Sequence, residues 1–373
     1  MINVTKLPAI SIFDIYSDRR STMRTKVLAI AVLLLLPAIA TAQGGGKSTC
    51  DRACLERYID QYLDAMLAHQ VSGKLFAKNC RFTENGVELP LGNEGLWASM
   101  VGKGTYKFYV PDVETQQVAF IGTAREESEK PGEGTPVALA IRLKIREGLI
   151  TEAEQLVIRG TGGMSGGGSM PSAAVSIEKG GAPHRIYSEV IPEAERPSRE
   201  ELIKVANMYF TGMQKNDGKG VYPFTDDCER LENGMQTTNV PLKSGEKKPD
   251  PKTSTSYSVS WSCKEQFESG LLHFVSRIRD RRFVAVDRER GLVFAFGFFD
   301  HSAGRTRHFK APDGREVVSG PVEPWTWQIA EIFKIEKGLI RRIEAVLLRC
   351  PYGMNSGWST YEQGMSDEIQ IVY

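Results

Sequence analysis

Glu331 lies in the run Trp325-Thr-Trp327-Gln-Ile329-Ala-Glu331-Ile-Phe333-Lys-Ile335. Strand alternation puts its carboxyl on the face of Trp327, Ile329, Phe333 and Ile335. A carboxylate on such a face is desolvated, its pKa rises, and it becomes usable as a general acid or base near neutral pH. The alternatives are that this face is solvated, or that Glu331 pairs with a nearby arginine. Asp300 follows Phe294, Phe296 and Phe298 on one strand face and precedes His301, so the two form a candidate acid-base pair at a strand end. Neighbours on a strand point oppositely, so only a turn there lets both face one pocket; otherwise His301 and His308 are exposed loop residues. His273, expected in a short helix, could reach a pocket mouth or serve as a packing residue. Trp325, Trp327, Tyr209, Phe296 and Phe298 are the candidate substrate wall, suited to sugars, phenolics or polycyclic compounds. Arg277, Arg279, Arg281 and Arg282 could clamp a carboxylate, although interleaved Asp280 favours a solvated face.

No Gly-x-Ser-x-Gly elbow, Walker loop, His-Glu-x-x-His or dinucleotide fingerprint occurs, so hydrolase, kinase and redox readings have no support. The expectation is chemistry without cofactor or metal. A net charge of +1 over 373 residues gives no electrostatic footprint for nucleic acid.

The elements that must position these residues come from a duplication. Cys80-Arg-Phe-Thr-Glu84-Asn85-Gly86 returns as Cys228-Glu-Arg-Leu-Glu232-Asn233-Gly234. Upstream, Leu55, Tyr58, Ile59, Tyr62, Leu63 and Met66 recur at Leu202, Val205, Ala206, Tyr209, Phe210 and Met213, one helical face shifted by 147 (202 minus 55). Downstream, Gly95, Asp112 and Gly122 match Gly270, Asp287 and Gly297 at a shift of 175 (270 minus 95). Lys144, Gly148, Glu154 and Arg159 match Lys334, Gly338, Glu344 and Arg349 at 190 (334 minus 144). The shift only grows, so the second copy carries insertions, near residues 243–262 and 304–324.

Each copy reads as a long amphipathic helix, the Glu-Asn-Gly turn, a short helix and then strands. In the first copy the strands are expected over 105–110, 117–123, 137–145 and 150–158. Helix first and sheet afterwards is an α+β class. The expected boundaries are 48–159 for the first copy, 160–197 for a Gly-rich and polar linker, 198–349 for the second copy and 350–373 for a tail packed over the domains. Ser198-Arg-Glu-Glu201 is a capping box that starts the second long helix.

The duplication also sorts the polar residues. Those kept in both copies (Glu84/Glu232, Asn85/Asn233, Glu154/Glu344, Arg159/Arg349) are expected to serve turns and a Glu-to-Arg pair across the sheet. Those standing on an apolar face in one copy are candidates for a site: Glu331 against Ile141, Asp300 against Arg125, His273 against Ala98.

Arg24 and Lys26 precede the apolar run 27–39 and Ala40-Thr41-Ala42, the pattern of a signal peptide over 1–42, with Met23 a candidate start. The run is short for a spanning helix, so a secreted or periplasmic chain with no membrane attachment after cleavage is expected. Six cysteines in an exported chain suggest disulfides. The expected pairs are Cys228 with Cys263, Cys80 with one of Cys50 and Cys54, and Cys350 with the other, because Cys50 and Cys54 one helical turn apart would strain a bridge. Free buried thiols are the alternative.

A long helix, a short helix and a sheet closing with Lys334-Ile-Glu-Lys-Gly-Leu-Ile-Arg-Arg-Ile-Glu344 resembles the nuclear transport factor 2-like fold, which includes ketosteroid isomerase, scytalone dehydratase and polyketide cyclases. With its leader, two copies and the Phe-Phe-Asp-His and Pro-Tyr-Gly-Met strings, the chain also resembles an uncharacterised secreted tandem family of bacteria and fungi. The fold resemblance implies two tandem cones, each a helix wrapped by a curved, mostly antiparallel sheet. Each cone would have an apolar pocket at its open end for acid-base chemistry on a small molecule. It also implies domain pairing within the chain and leaves a homo-oligomer open. The expected function is an exported lyase, dehydratase or isomerase using the second copy, with Glu331 or Asp300 as proton acceptor and His273 or His301 assisting. The alternative is a secreted ligand-binding or protein-interaction module without chemistry.

Overall fold

The structure, a computed structural model, describes residues 49–130, 132–164 and 170–373. The leader expected over 1–42 and residues 165–169 of the Gly-rich stretch lie outside them.

The first copy runs α1 (Arg52–Leu67), β1 (Phe76–Glu84), β2 (Val87–Glu88), α2 (Leu96–Ser99), β3 (Met100–Asp112), β4 (Gln117–Glu126), β5 (Thr135–Arg146) and β6 (Leu149–Arg159). These strands form one curved sheet in the order β2-β1-β6-β5-β4-β3, antiparallel except for the parallel β1/β6 pair. Asp51 caps α1 by accepting from the Cys54 amide, and the helix buries Leu55, Ile59, Tyr62, Leu63 and Met66 against the sheet.

After the Gly-rich stretch, α3 (Ala173–Lys179) and two single turns, within the stretch read as a Gly-rich and polar linker, lead to the second copy. Ala173, Ala174 and Ile177 of α3 are buried in a core cluster, which explains why this stretch orders. The second copy comprises α4 (Arg199–Lys215), β7 (Phe224–Glu232), β8 (Met235–Gln236), α5 (Cys263–Glu268), β9 (Arg277–Asp287), β10 (Leu292–His301), β11 (His308–Lys310), β12 (Glu316–Val318), β13 (Trp325–Glu336) and β14 (Leu339–Cys350). The capping box expected at Ser198 and Glu201 is formed. The two insertions hold α5's approach and the β11/β12 hairpin respectively. The tail supplies α6 (Tyr361–Met365) and β15 (Ile369–Ile371), which pairs parallel with β9. The sheet order is β15-β9-β10-β13-β14-β7-β8, so the tail extends the sheet, where packing without strand pairing was expected.

Three large apolar clusters follow from this order, beside a smaller one of Trp261, Leu271, Ala311 and Val317. One lies between α1 and the inner face of the first sheet, one between α4 and the inner face of the second. The third joins the outer faces, where Phe108, Ile121 and Leu156 of the first copy meet Phe294, Phe296 and Ile332 of the second, so the sheets pack back to back. Charge pairs repeat the arrangement reciprocally. Arg52 at the start of α1 bonds Asp287 of the second copy at 2.7 Å, and its counterpart Arg199 at the start of α4 bonds Asp112 of the first at 2.6 Å.

Asn85 and Asn233 adopt φ of 51° and 49°, the left-handed region that asparagine tolerates. Each side chain then clasps the last strand of its sheet: Asn85 Oδ1 accepts from the Val157 amide at 2.7 Å, and Asn233 Oδ1 from the Leu347 amide at 2.9 Å. The repeated motif is thus a turn that fixes the register of the parallel strand pair.

The cysteine expectations need correction. Cys50 and Cys54 form a disulfide, with Cα atoms 5.1 Å apart. Cys50 precedes the cap residue Asp51 and is not in the helix, so the one-turn geometry assumed for the pair does not apply. Cys80 and Cys350 are free thiols. Cys228 and Cys263 are also reduced, yet their sulfurs lie 2.6 Å apart in the core. Oxidised protein should therefore lose two further hydrogens by intact mass, and peptide mapping should find Cys228 linked to Cys263. Free thiols at both positions after oxidation would contradict this.

Candidate functional site

Glu331 sits at the centre of β13 on the concave face of the second sheet, 2% exposed. Its register neighbours are Ala295 on β10 and Ala345 on β14. The equivalent place in the first copy is Ile141, flanked by Phe120 and Gln155. Across from it, Trp97 of the first copy corresponds to Leu272. Around Glu331, therefore, Phe, Gln and Trp are replaced by Ala, Ala and Leu, while Phe82 of β1 becomes Arg230 of β7.

The first copy fills its interior with a closed network. Tyr62 hydroxyl donates to Gln155 Oε1 at 2.9 Å, Trp97 Nε1 donates to the Tyr62 hydroxyl at 3.0 Å, and Gln155 Nε2 donates to Glu84 at 2.8 Å. In the second copy the same region holds the ionisable pair Arg230 and Glu331. The Arg230 guanidinium donates to Tyr257 at 2.7 Å, Gln266 at 2.9 Å and Thr237 at 3.1 Å, and pairs with Glu232 at 3.1 Å. Glu331 has no such satisfaction, since its buried Oε2 has no hydrogen-bond partner.

Burial pushes the Glu331 carboxyl up to about 8, the Glu232 charge adds to the rise, and Arg230 and the Tyr209 hydroxyl partly oppose it. Burial also raises the Tyr209 phenol far above its ordinary value, so it stays protonated. The arrangement is a carboxyl that can give or take a proton near neutrality, beside a fixed cation able to stabilise negative charge.

The open end of the same cone carries the aromatic wall. A cavity of about 540 Å³ is lined by Phe274, His301, Trp325, Trp327 and Arg349 together with residues 163–164 and 320–323. His301 stacks on Trp325 at 3.9 Å, Trp327 meets Trp325 edge-on at 4.7 Å, and the Arg349 guanidinium lies 5.0 Å from the Trp325 ring. His301 Nδ1 is 3.0 Å from the Phe299 carbonyl, which can only accept, so Nδ1 carries the proton and Nε2 is an acceptor. Burial holds this imidazole down to about 4, so it is neutral at physiological pH. Glu331 lies four residues beyond Trp327 on the same face, about 13 Å deeper by strand rise.

The other sequence candidates fall elsewhere. Asp300 and His301 both belong to β10, with no turn between them, and so face opposite sides. Asp300 is fully buried and bonded by Arg277 at 2.6 Å, Arg279 at 2.9 Å and Thr326 at 2.7 Å; these bonds hold it ionised below its ordinary value against the cost of burial. It is thereby removed from proton transfer. Phe296 and Phe298 point the same way as Asp300. Phe296 packs in the cluster between the sheets, and Phe298 lies under the Arg279 guanidinium at 4.8 Å, so neither lines the cone. His273 is an exposed turn residue, not a helical one, and stacks on Phe309 at 4.3 Å. Arg279, Arg281 and Arg282 are buried rather than solvated, and each is consumed by internal partners. Among the described residues no group of three or more His, Cys, Asp or Glu is placed to hold a metal ion.

Arg230, Ala295 and Ala345 were missed in the sequence. Their signal was available, because the shifts of 148, 175 and 190 align them with Phe82, Phe120 and Gln155.

A family model described as "Domain of unknown function (DUF8021)" matches residues 48–157 and 195–347. The chain belongs to this family. No curated protein matches the sequence. Solved structures with some likeness include a de novo designed protein with a curved β-sheet (17% identity, 40% of this chain and 88% of that one, TM-score 0.23). AusH from Aspergillus nidulans (15% identity, 40% and 86%, TM-score 0.24) and AclR from Streptomyces galilaeus (11%, 40% and 90%, TM-score 0.24) are others.

Proposed function

We propose that the second copy is a small-molecule site of the nuclear transport factor 2-like kind, in which Glu331 exchanges a proton with substrate in a lyase, dehydratase or isomerase reaction. The observation that carries this reading is the buried, unpartnered Glu331 oxygen between two alanines, at a position where the first copy has isoleucine. Retaining an unsatisfied carboxyl in a core costs stability, and such a cost marks functional positions. In the reaction, Glu331 takes a proton from carbon or oxygen of the substrate, Arg230 offsets the charge that develops, and a protonated Glu331 returns the proton to the leaving group or to a neighbouring atom. The chain works without a bound cofactor and after export; the Cys50–Cys54 bridge supports an oxidising compartment.

The test is incubation of the purified protein with a metabolite extract, followed by mass spectrometry for a compound that disappears. The Glu331→Gln variant should lose the conversion, by at least a hundredfold. Unchanged conversion by that variant would exclude Glu331 as the base. A second reading, capture of a ligand without chemistry, is favoured by the fact that the mouth cavity is lined by Trp325 and Trp327 and not by Glu331. In that case a compound co-purifies unaltered, Trp325→Ala releases it and Glu331→Gln does not.

A further inference from the structure

The outer surface of the first copy carries a second cavity, of about 520 Å³, at the far end of β5 and β6. Its walls include Arg81, Arg142, Lys144, Arg146 and, from the second copy, Arg282, against a single lining carboxylate, Glu152. Trp358 of the tail closes one side. Its indole donates to Thr83 Oγ1 at 2.8 Å, and the guanidinium groups of Arg81 and Arg142 lie 4.5 and 4.7 Å from its ring. Asn79, Thr151 and Gln370 add neutral hydrogen-bonding groups to the wall.

Carboxylates pair with most of these cations and leave their outer edges on the cleft. Glu154 gives both oxygens to Arg282, Glu152 bonds Arg142 at 2.7 Å, Glu88 bonds Arg81 at 3.0 Å, and Asp280 lies 3.4 Å from Arg282. Lys144 donates to the Tyr373 main-chain oxygen and is 3.9 Å from Glu152, and among the described residues Arg146 has no ion-pair partner. The buried Nε atoms of Arg142 and Arg282 each face a carboxylate at 3.4 Å, Glu154 and Asp280 respectively, without making a hydrogen bond of good geometry.

The second copy shows what the same surface looks like without this feature. Arg81, Arg142 and Arg146 correspond to Glu229, Ile332 and Glu336. There Glu229 bonds Arg342, and Glu336 bonds Arg341 at 2.8 Å, so the second copy places carboxylates where the first places Arg81 and Arg146. The comparison that singles out Glu331 in the second copy thus singles out a cation-lined cleft in the first, with Arg146 exposed at its edge.

We propose that this cleft binds a compact anion carrying at least two negative charges, a phosphate ester or a di- or tricarboxylate. Guanidinium forks match the oxygens of both groups in pairs, and the partly buried setting limits screening by salt. This site is separate from the cone of the second copy and does not depend on Glu331.

Isothermal titration of the mature chain with inorganic phosphate and with citrate, at ionic strength matched by sodium chloride, tests it. One or both anions should saturate at one site per chain, and which of them binds more tightly identifies the phosphate or the carboxylate source. Arg146→Glu and Arg81→Glu, which install the residues of the second copy, should each weaken binding at least tenfold. Arg81 also steadies the tail; if its variant shifts Trp358 fluorescence, the exposed Arg146→Glu decides. A response no greater than that to sodium chloride, or unchanged affinity in Arg146→Glu, overturns the proposal.

Discussion

Glu331→Gln should make the protein more stable at pH 8 while it abolishes the chemistry assigned to the second copy. Glu331 is raised from an ordinary 4.5 to about 8 in the folded chain, chiefly by burial. Below pH 4.5 the carboxyl is protonated in both folded and unfolded chains and burial carries no ionisation penalty. Between 4.5 and 8 the unfolded chain releases the proton and the folded chain keeps it, so stability falls as pH rises. Above 8 the whole penalty is present, on the order of several kcal/mol at about 1.4 kcal/mol per unit of pKa. Glutamine has nearly the same shape and no such slope. Denaturant midpoints measured from pH 5 to 8.5 should diverge, with the variant increasingly the more stable toward alkaline pH. Parallel curves would show that Glu331 titrates normally and would remove the basis for its role. Glu344, pushed up to about 7 by burial and held by the Tyr106 hydroxyl, contributes a slope of the same sign to both proteins and cancels in the comparison.

Arg282→Met should be among the most destabilising single changes in the chain. Arg282 reaches from β9 of the second copy to Glu154 of the first, donating at 2.8 and 2.6 Å to its two oxygens, with both side chains about 3% exposed. Removing one member of such a pair leaves a buried charge and costs about 3–5 kcal/mol, with Arg142 Nε at 3.4 Å the remaining cation near Glu154. Neutralising Glu154 as well should restore part of the loss, because much of the penalty comes from its unpaired charge, while buried Asp280, 3.4 Å from Arg282, still lacks its cation. Urea unfolding of Arg282→Met, Glu154→Gln and the double variant measures this. A double variant as unstable as Arg282→Met alone would show that the guanidinium holds the copies together by packing instead.

The class of fold and the duplication were legible in the residues themselves. The α1 and α4 stripes, the capping box at Ser198 and the alternation around Glu331 are local patterns, fixed by 3.6-residue and 2-residue periods, and they appear in the structure where the sequence put them. Strand ends ran longer than expected, as in β3, because sheet pairing extends past the apolar core of a strand.

What the local pattern could not supply was which groups meet at a distance. Asp300 looked like a catalytic neighbour of His301, but its face turns toward Arg277 and Arg279, and the burial of Arg279 was misjudged because nothing in an alternating basic run reveals a partner strand. Phe296 and Phe298 looked like a pocket wall, but Phe296 packs between the sheets and Phe298 lies under the Arg279 guanidinium, since a strand buried on both faces has no solvent side to betray its direction. Cys50 and Cys54 were set apart on the assumption that both lie in one helix, which in fact begins at Arg52.

The sequence alone, then, determined that two copies exist, where their helices and turns lie, and that Glu331 stands on an apolar face. Only the tertiary structure decided that Ala295 and Ala345 flank that carboxyl, that Arg230 stands near it and that the tail closes a basic cleft on the first copy. Periodicity is a property of neighbours along the chain, whereas desolvation and charge pairing are set by groups brought together from strands far apart in it.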